Sequence, residues 1–230
     1  MLPVNTLHPV RKPAYVTYGL IILNALVFLW QLTVPTSQLN QTFYQYAAVM
    51  CEVAQAPVSG ETFLDIVRSM FFHGGWAHLV GNMTFLWIFG RNVENYFGSK
   101  RFLLFYVMWG FAAAFAETMI NTGLCVPMIG ASGAIAGVLG SYLILYPGTR
   151  VRVLIVFFRF FPKFYDIPAL IVLGYWFVLQ LFNGFLSLGA NTLGGGVAFF
   201  AHIGGFVGGL VLAFIYMMVK GPPERVTYID

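Results

Sequence analysis

Charged residues are scarce in this chain. They make up 9% of its 230 residues, whereas 59% are hydrophobic and the mean hydropathy is +0.80. A soluble domain carries roughly 25% charged residues. The scarcity therefore excludes a soluble fold and predicts a polytopic membrane protein.

Six apolar stretches approach the length of about 20 residues that a helix needs to cross a bilayer. Their hydrophobicity is continuous rather than alternating, which favours helices over a β-barrel. We therefore predict an all-α bundle of six transmembrane helices, at residues 16–34, 71–89, 102–120, 132–146, 167–186 and 197–219. The bundle is a single domain of residues 1–230, with tails at residues 1–15 and 220–230 and one long loop at residues 35–70, in which residues 62–70 are semi-amphipathic.

Basic residues are almost absent from one side of the predicted bundle. With a cytoplasmic N-terminus, 11 of the 12 Lys and Arg residues face the cytoplasm, and Arg68 alone faces the other side. Because cytoplasmic loops are enriched in Lys and Arg, both termini are predicted to be cytoplasmic. We expect the chain in a bacterial plasma (inner) membrane. No basic run with interleaved aromatic residues is present, so the net charge of +4 does not indicate nucleic-acid binding.

Cysteine is also rare, since Cys51 and Cys125 are the only two. Both fall on the predicted extracytoplasmic side, where a disulfide can form. Two unpaired thiols are the simpler interpretation, and the sequence leaves both states open.

Two classes of membrane protease are excluded by patterns that the sequence lacks. A zincin needs a His-Glu-x-x-His segment, and none is present. An aspartyl protease needs two acids at one depth, and Asp166 stands alone on the predicted cytoplasmic side.

Four polar residues lie in or beside apolar spans, where such groups are costly unless they have partners. Ser132 begins the fourth span, in Gly130-Ala-Ser-Gly133. His202 lies in the sixth span, and His78 and Asn82 lie in the second. Together they predict a serine nucleophile, a histidine base and groups that bind an oxyanion.

Helix lengths place these residues at similar depths. From Ser132 to Tyr146 a helix rises about 21 Å, which is about 9 Å less than the hydrocarbon thickness of about 30 Å. A Pro-Gly pair ends this span at the cytoplasmic surface. The helix therefore begins, at Ser132, below the outer surface of the membrane. The same arithmetic puts His78 about 12 Å and His202 about 6 Å below the outer surface. We therefore expect a water-filled cavity in the outer leaflet.

Glycines in the fourth and sixth spans predict that these two helices pack closely. Gly205 and Gly209 share a helix face with His202. Gly133 and Gly137 form a second pair on the serine helix. Facing glycines let helix backbones approach closely, which would bring the histidine to the serine. In the alternative interpretation the glycines serve packing alone, and the serine is an ordinary hydrogen-bonded hydroxyl.

The predicted roles follow from acid–base chemistry. A serine hydroxyl becomes a good nucleophile when a base takes its proton, and histidine titrates near neutral pH. Ser132 is therefore the predicted nucleophile and His202 its general base. The oxyanion of a tetrahedral intermediate needs donors about 3 Å away, for which we predict the Ser132 backbone N–H, His78 and Asn82. Glu117 is the nearest acid and is not expected to take part, so the prediction is a Ser-His dyad.

Taken singly, these residues have simpler interpretations. A histidine in a membrane helix is often a hydrogen-bonding group that faces the bundle, and this applies to His78. His73 is interpreted as loop structure, and Trp76 and Trp87 as interfacial or packing residues. The combination is far more specific than any one member.

The segments that carry these residues resemble the rhomboid family of intramembrane serine proteases. They are His73-Gly-Gly-Trp-Ala-His-Leu-Val-Gly-Asn-Met83, Gly90-Arg-Asn-Val-Glu-Asn-Tyr-Phe-Gly98, Gly130-Ala-Ser-Gly-Ala134 and Ala201-His-Ile-Gly-Gly-Phe-Val-Gly-Gly209. The resemblance implies a six-helix core, with Ser132 as nucleophile, His202 as general base and no metal or cofactor. It implies His78 and Asn82 as oxyanion donors. The implied substrates are membrane proteins, cut in or near a transmembrane segment within the lipid bilayer.

Two departures from the family pattern concern the long loop and the histidine ring. Some members carry a Trp-Arg pair in the loop, and residues 35–70 contain none. Some members have an aromatic residue packed on the catalytic histidine at the position that Ala136 occupies here. The sequence therefore does not identify what holds the His202 ring.

Two other functions fit the sequence less well. A rhomboid-like pseudoprotease typically lacks the serine or the histidine, and this chain has both. A transporter or channel would carry polar groups through both leaflets, or inverted repeats, and the predicted inner leaflet carries none.

Overall fold

Helices form most of the chain. The computed structural model describes residues 2–157, 161–188 and 196–224. In this part the helices are α1 (Tyr15–Gln31), α2 (Thr36–Tyr46), α3 (Met50–Gln55), α4 (Gly60–Ser69), α5 (Trp76–Phe85), α6 (Arg91–Phe97), α7 (Ser99–Ile120), α8 (Ser132–Leu145), α9 (Ala169–Ser187) and α10 (Phe199–Lys220). The strands are β1 (Leu2–Thr6), β2 (Arg150–Phe157) and β3 (Phe161–Pro168).

Every predicted span contains a helix. α1, α7, α8, α9 and α10 begin and end close to the predicted boundaries, and α8 begins at Ser132 as predicted. The second span is composite, because α5 continues through a π-helical turn, Leu86–Gly90, into α6. Among the described residues, α7, α9 and α10 are long and apolar enough to cross a membrane, whereas α1 and α8 are apolar but shorter.

The structure is mostly helical, as the all-α prediction requires, but it also contains a three-stranded antiparallel sheet that the prediction did not include. The strands pair in the order β1-β2-β3, so residues 2–6 form a strand rather than a free tail. Val151 and Val153 of β2 are fully buried. Arg152 lies between them and bonds Asp166 of β3 at 2.8 Å. This period-two alternation predicts a strand, but the segment is too short to be recognised by span-length hydrophobicity.

α8 is the buried centre of the bundle. Of its 14 residues, 11 are buried, and they are mostly small. A Cβ added at Gly205 of α10 would meet the carbonyl oxygen of Gly133, and one at Gly209 would meet that of Gly137. The two helices therefore pack backbone against backbone, as the glycine pattern predicts.

Gly209→Ala is expected to destabilise the fold, because the added methyl group has no room against the Gly137 backbone. Overpacking of this kind costs about 1–3 kcal/mol, so the melting temperature in detergent should fall by several degrees. Gly174→Ala is the matched control, since nothing lies within 4 Å of a Cβ added there on α9. Equal melting temperatures for the two variants would contradict the close contact.

Glu94 of α6 forms hydrogen bonds with the first residues of two other helices. Its buried carboxylate accepts hydrogen bonds from the Val16 and Thr17 N–H groups at 3.0 and 2.7 Å, at the start of α1. It also accepts the Ser99 hydroxyl at 2.6 Å, at the start of α7. A carboxylate at a helix N-terminus satisfies N–H groups that have no partner within the helix. Glu94 therefore fixes where α1 and α7 begin relative to α6.

The long loop of residues 35–70 is helical and is linked to the segment that leads into α8. It holds α2, α3 and α4, of which α4 covers most of the segment predicted to be semi-amphipathic. Cys51 and Cys125 form a disulfide, with Cα atoms 4.9 Å apart. The preference for free thiols is therefore wrong. The physical reason is a backbone bridge between Val49 and Pro127, which brings the two segments side by side.

Candidate active site

Ser132 and His202 are joined by a hydrogen bond. Ser132 is the first residue of α8, and its Oγ lies 2.8 Å from Nε2 of His202, in the first turn of α10. Both residues are partly exposed. The glycine contacts between the two helices bring the hydroxyl and the imidazole within reach without long side chains.

The second ring nitrogen of His202 faces Gln180 on α9. Nδ1 lies 2.8 Å from Gln180 Oε1. An amide oxygen can only accept, so Nδ1 carries the ring proton. In a neutral imidazole Nε2 is then unprotonated, and it accepts the hydrogen bond of the Ser132 hydroxyl.

Trp176 packs against the same imidazole. Its ring centroid lies 5.8 Å from that of His202, and Trp176 precedes Gln180 by one turn of α9. The sequence left open what holds the His202 ring, since Ala136 offers no aromatic surface. The structure shows that Gln180 and Trp176, both in the fifth span, contact the ring. Neither residue was identified from the sequence. A sequence signal was available, because Gln180 is a polar residue within an apolar span, and the structure shows that it is buried.

His78 of α5 lies against Gly130, two residues before Ser132. Its Nδ1 accepts the Gly74 N–H at 3.3 Å, so Nε2 carries the ring proton. A Cβ added at Gly130 would lie 2.8 Å from this Nε2, and Gly130 has a φ of 121°, which favours glycine. Gly130 thus leaves room for an N–H donor beside the start of α8.

Asn82 lies one helical turn beyond His78, and it is buried. Its Nδ2 lies 3.0 Å from Nε2 of His73 and 3.7 Å from the position of a Cβ on Gly130. One N–H of the amide is therefore used by His73, and within the described ranges no hydrogen-bond acceptor is seen for the second. Among the described residues, no hydrogen bond joins Asn82 or His78 to the Ser132 hydroxyl.

His73 has a larger part in the site than its interpretation as loop structure allows. It lies in the segment before α5, but its side chain is buried. Its Nδ1 lies 3.3 Å from the Phe71 carbonyl, which leaves Nε2 to accept from Asn82. Gln31, the last residue of α1, bonds both the N–H and the carbonyl of His73. His73 therefore orients the Asn82 amide from a fixed backbone position.

Glu117 does not serve as an acid partner of the histidine. Its buried carboxylate accepts the Ala201 N–H at 2.9 Å, at the start of α10, and the Asn121 amide at 2.7 Å. In the part of the chain that the structure describes, the hydrogen-bond partner of His202 Nδ1 is an amide. The same part contains no group of three or more His, Cys, Asp or Glu residues that could hold a metal ion.

The start of α8 adjoins a small cavity. The cavity has a volume of about 50 Å³ and is lined by Ser132 and by small side chains that include Ser69, Ala113 and Ala201. The N-cap residue of α8, Ala131, makes no side-chain cap hydrogen bond, and the first N–H groups of a helix lack partners within it. The positive end of the helix dipole therefore lies at the serine.

The site lies within a stretch that matches a known protein family. A family model described as Rhomboid domain matches residues 60–219. The chain belongs to the rhomboid family. Membership supports intramembrane protease activity in general, and all four residues singled out from the sequence fall inside the matched segment.

Rhomboid relatives occur in plants, fungi and bacteria. RHOMBOID-like protein 5 of Arabidopsis thaliana is 29% identical over 153 residues, which are 66% of this chain and 44% of the relative. Rhomboid protein 1, mitochondrial, of Saccharomyces cerevisiae is 26% identical over 204 residues, 86% of this chain and 52% of the relative. Rhomboid protease GluP of Bacillus subtilis is 30% identical over 148 residues, 64% of this chain and 25% of the relative. The chain spans between a quarter and about half of the length of these relatives.

Family membership also makes the chain an integral membrane protein. Relatives in rat and yeast are named as mitochondrial proteins, while another is from Bacillus subtilis. The expected location in a bacterial plasma membrane is therefore not supported, because several of the matching relatives are named as mitochondrial.

Proposed function

We propose that the chain is an intramembrane serine endopeptidase, which hydrolyses peptide bonds in or near the transmembrane segments of membrane-protein substrates. The observation that carries the proposal is the 2.8 Å contact between Ser132 Oγ and His202 Nε2. A relative named as a rhomboid protease gives independent support.

The proposed reaction begins with transfer of the Ser132 proton to Nε2 of His202 as Oγ attacks the peptide carbonyl carbon. The tetrahedral intermediate then collapses, the C–N bond breaks, and the imidazolium donates its proton to the leaving amine. Water, with His202 again as base, hydrolyses the resulting ester and restores the serine. The protonation state of the ring described above supports this sequence, because Nε2 begins as the acceptor.

The proposed oxyanion donors surround Gly130 and the start of α8. They are the Ser132 backbone N–H, the Nε2–H of His78 and the N–H of the Asn82 amide that His73 does not accept. The closeness of both side chains to Gly130 and the helix dipole at Ser132 support this assignment.

We propose six membrane spans within one domain of residues 1–230, with both termini in the cytoplasm. The correspondence of each predicted span with a helix supports the count. α8 has only 14 residues, but it is enclosed by other helices and need not match the bilayer thickness in contact with lipid. The distribution of Lys and Arg supports the orientation.

Labelling with a serine-reactive fluorophosphonate tests the proposal. We expect covalent labelling of the wild-type protein in detergent or liposomes and loss of the label in Ser132→Ala. Ser141→Ala is the matched control on the same helix, because its hydroxyl bonds the Gly209 carbonyl at 3.0 Å instead of His202. An unlabelled wild type, or equal labelling of Ser132→Ala, would refute the assignment.

A further inference from the structure

The fifth span contributes a side chain, Gln180, that contacts the histidine but makes or breaks no bond in the reaction proposed above. We propose that Gln180 is a positioning residue, which keeps His202 in the tautomer that can accept the serine proton. This inference rests on the proposed function of Ser132 and His202. It gives α9 a role in the site. In the part of the chain that the structure describes, Gln180 is the residue of α9 that forms a hydrogen bond with the dyad.

The tautomer matters because a neutral imidazole carries one proton that can occupy either nitrogen. With the proton on Nδ1, the lone pair of Nε2 faces the Ser132 hydroxyl and can take its proton. With the proton on Nε2, an N–H group would face the hydroxyl instead, and the histidine could not act as a base. Gln180 Oε1 at 2.8 Å from Nδ1 stabilises the first form.

The orientation of the Gln180 amide is itself determined by α9. Its Nε2 donates to the Trp176 carbonyl at 3.4 Å. Turning the amide over would bring its oxygen against that carbonyl oxygen, so that two acceptors would face each other. The helix backbone therefore selects the amide orientation, and the amide selects the tautomer of His202.

An amide has a physical advantage over a carboxylate at this place. A charged side chain inside the bilayer is costly, whereas an amide oxygen accepts the same hydrogen bond without a net charge. The nearby acid, Glu117, is engaged by the N–H of Ala201 and does not contact the ring. Trp176 lies against the imidazole and limits its rotation away from Gln180.

Kinetic analysis of Gln180→Leu tests the proposal, with a transmembrane substrate in liposomes. We expect kcat to fall about 10- to 100-fold with little change in KM, as for other residues that orient a functional imidazole. Gln180→Glu keeps an oxygen acceptor and should restore kcat to within a few fold of wild type. Asn183→Leu, which also replaces an amide side chain of α9 by leucine, is the matched control and should leave kcat unchanged.

A second measurement reports the tautomer without any need for activity. In protein labelled with ¹⁵N-histidine, the ¹⁵N resonances distinguish protonated from unprotonated ring nitrogens, and His202 is assigned by its absence from His202→Ala. We expect protonated Nδ1 in the wild type and in Gln180→Glu, and a mixture or the reverse in Gln180→Leu.

The outcomes separate this inference from the proposed function. A Gln180→Leu protein with full kcat, or with lower kcat but the wild-type tautomer, overturns the positioning role. Cleavage that persists in Ser132→Ala overturns the proposed function instead, while the ring tautomer still reports directly on Gln180.

Discussion

Ser132→Ala is expected to abolish cleavage of a transmembrane substrate while the protein still folds. The variant lacks the oxygen that attacks the peptide carbonyl, and loss of such a nucleophile costs a serine protease at least about 10⁴-fold in kcat. The substitution removes a single oxygen atom, together with its hydrogen bond to His202. Because the packing around the side chain is otherwise kept, the melting temperature should change little. Cleavage in liposomes, followed by gel analysis of the fragments, measures the effect.

His202→Ala should give a loss of similar size, and the double variant should be no slower than either single variant. The two residues act in one proton transfer, so their effects are not additive. Ser141→Ala serves as the control for a lost hydroxyl on α8 and should retain cleavage. Activity of Ser132→Ala within tenfold of wild type would rule out its role as nucleophile.

Asn82→Ala is expected to lower kcat by about 10²–10³-fold, the usual effect of removing one oxyanion donor. KM should change little, because the donor acts on charge that develops in the transition state. Initial rates over a range of substrate concentrations in mixed micelles separate the two parameters.

Asn24→Ala is the matched control for Asn82→Ala. Asn24 is also a buried asparagine in a span, but its amide donates to the Leu20 carbonyl of its own helix at 2.8 Å. It should affect stability more than kcat. If Asn82→Ala retained the wild-type kcat, Asn82 would have no part in binding the oxyanion, although the role of Ser132 would stand.

Local patterns in the sequence predict the helices, their closest packing contact and the central pair of the site. Long apolar stretches predict the helices, because a span must satisfy its backbone groups within the segment. The spacing of glycines along α8 and α10 predicts their close packing, because residues three and four apart share a helix face. Ser132 and His202 stand out because polar groups are costly in such segments, and the structure places them 2.8 Å apart.

The side chains that surround that pair could not be predicted, because they depend on how the helices pack in the folded protein. Gln180 and His202 are 22 residues apart and lie on separate helices, and neither helix alone fixes the rotation that brings the amide to Nδ1. The same holds for the bond between His73 and Asn82, for the disulfide between Cys51 and Cys125, and for the pairing of β1 with β2. Such contacts depend on how separate elements are placed against each other, and no local period in the sequence encodes that placement.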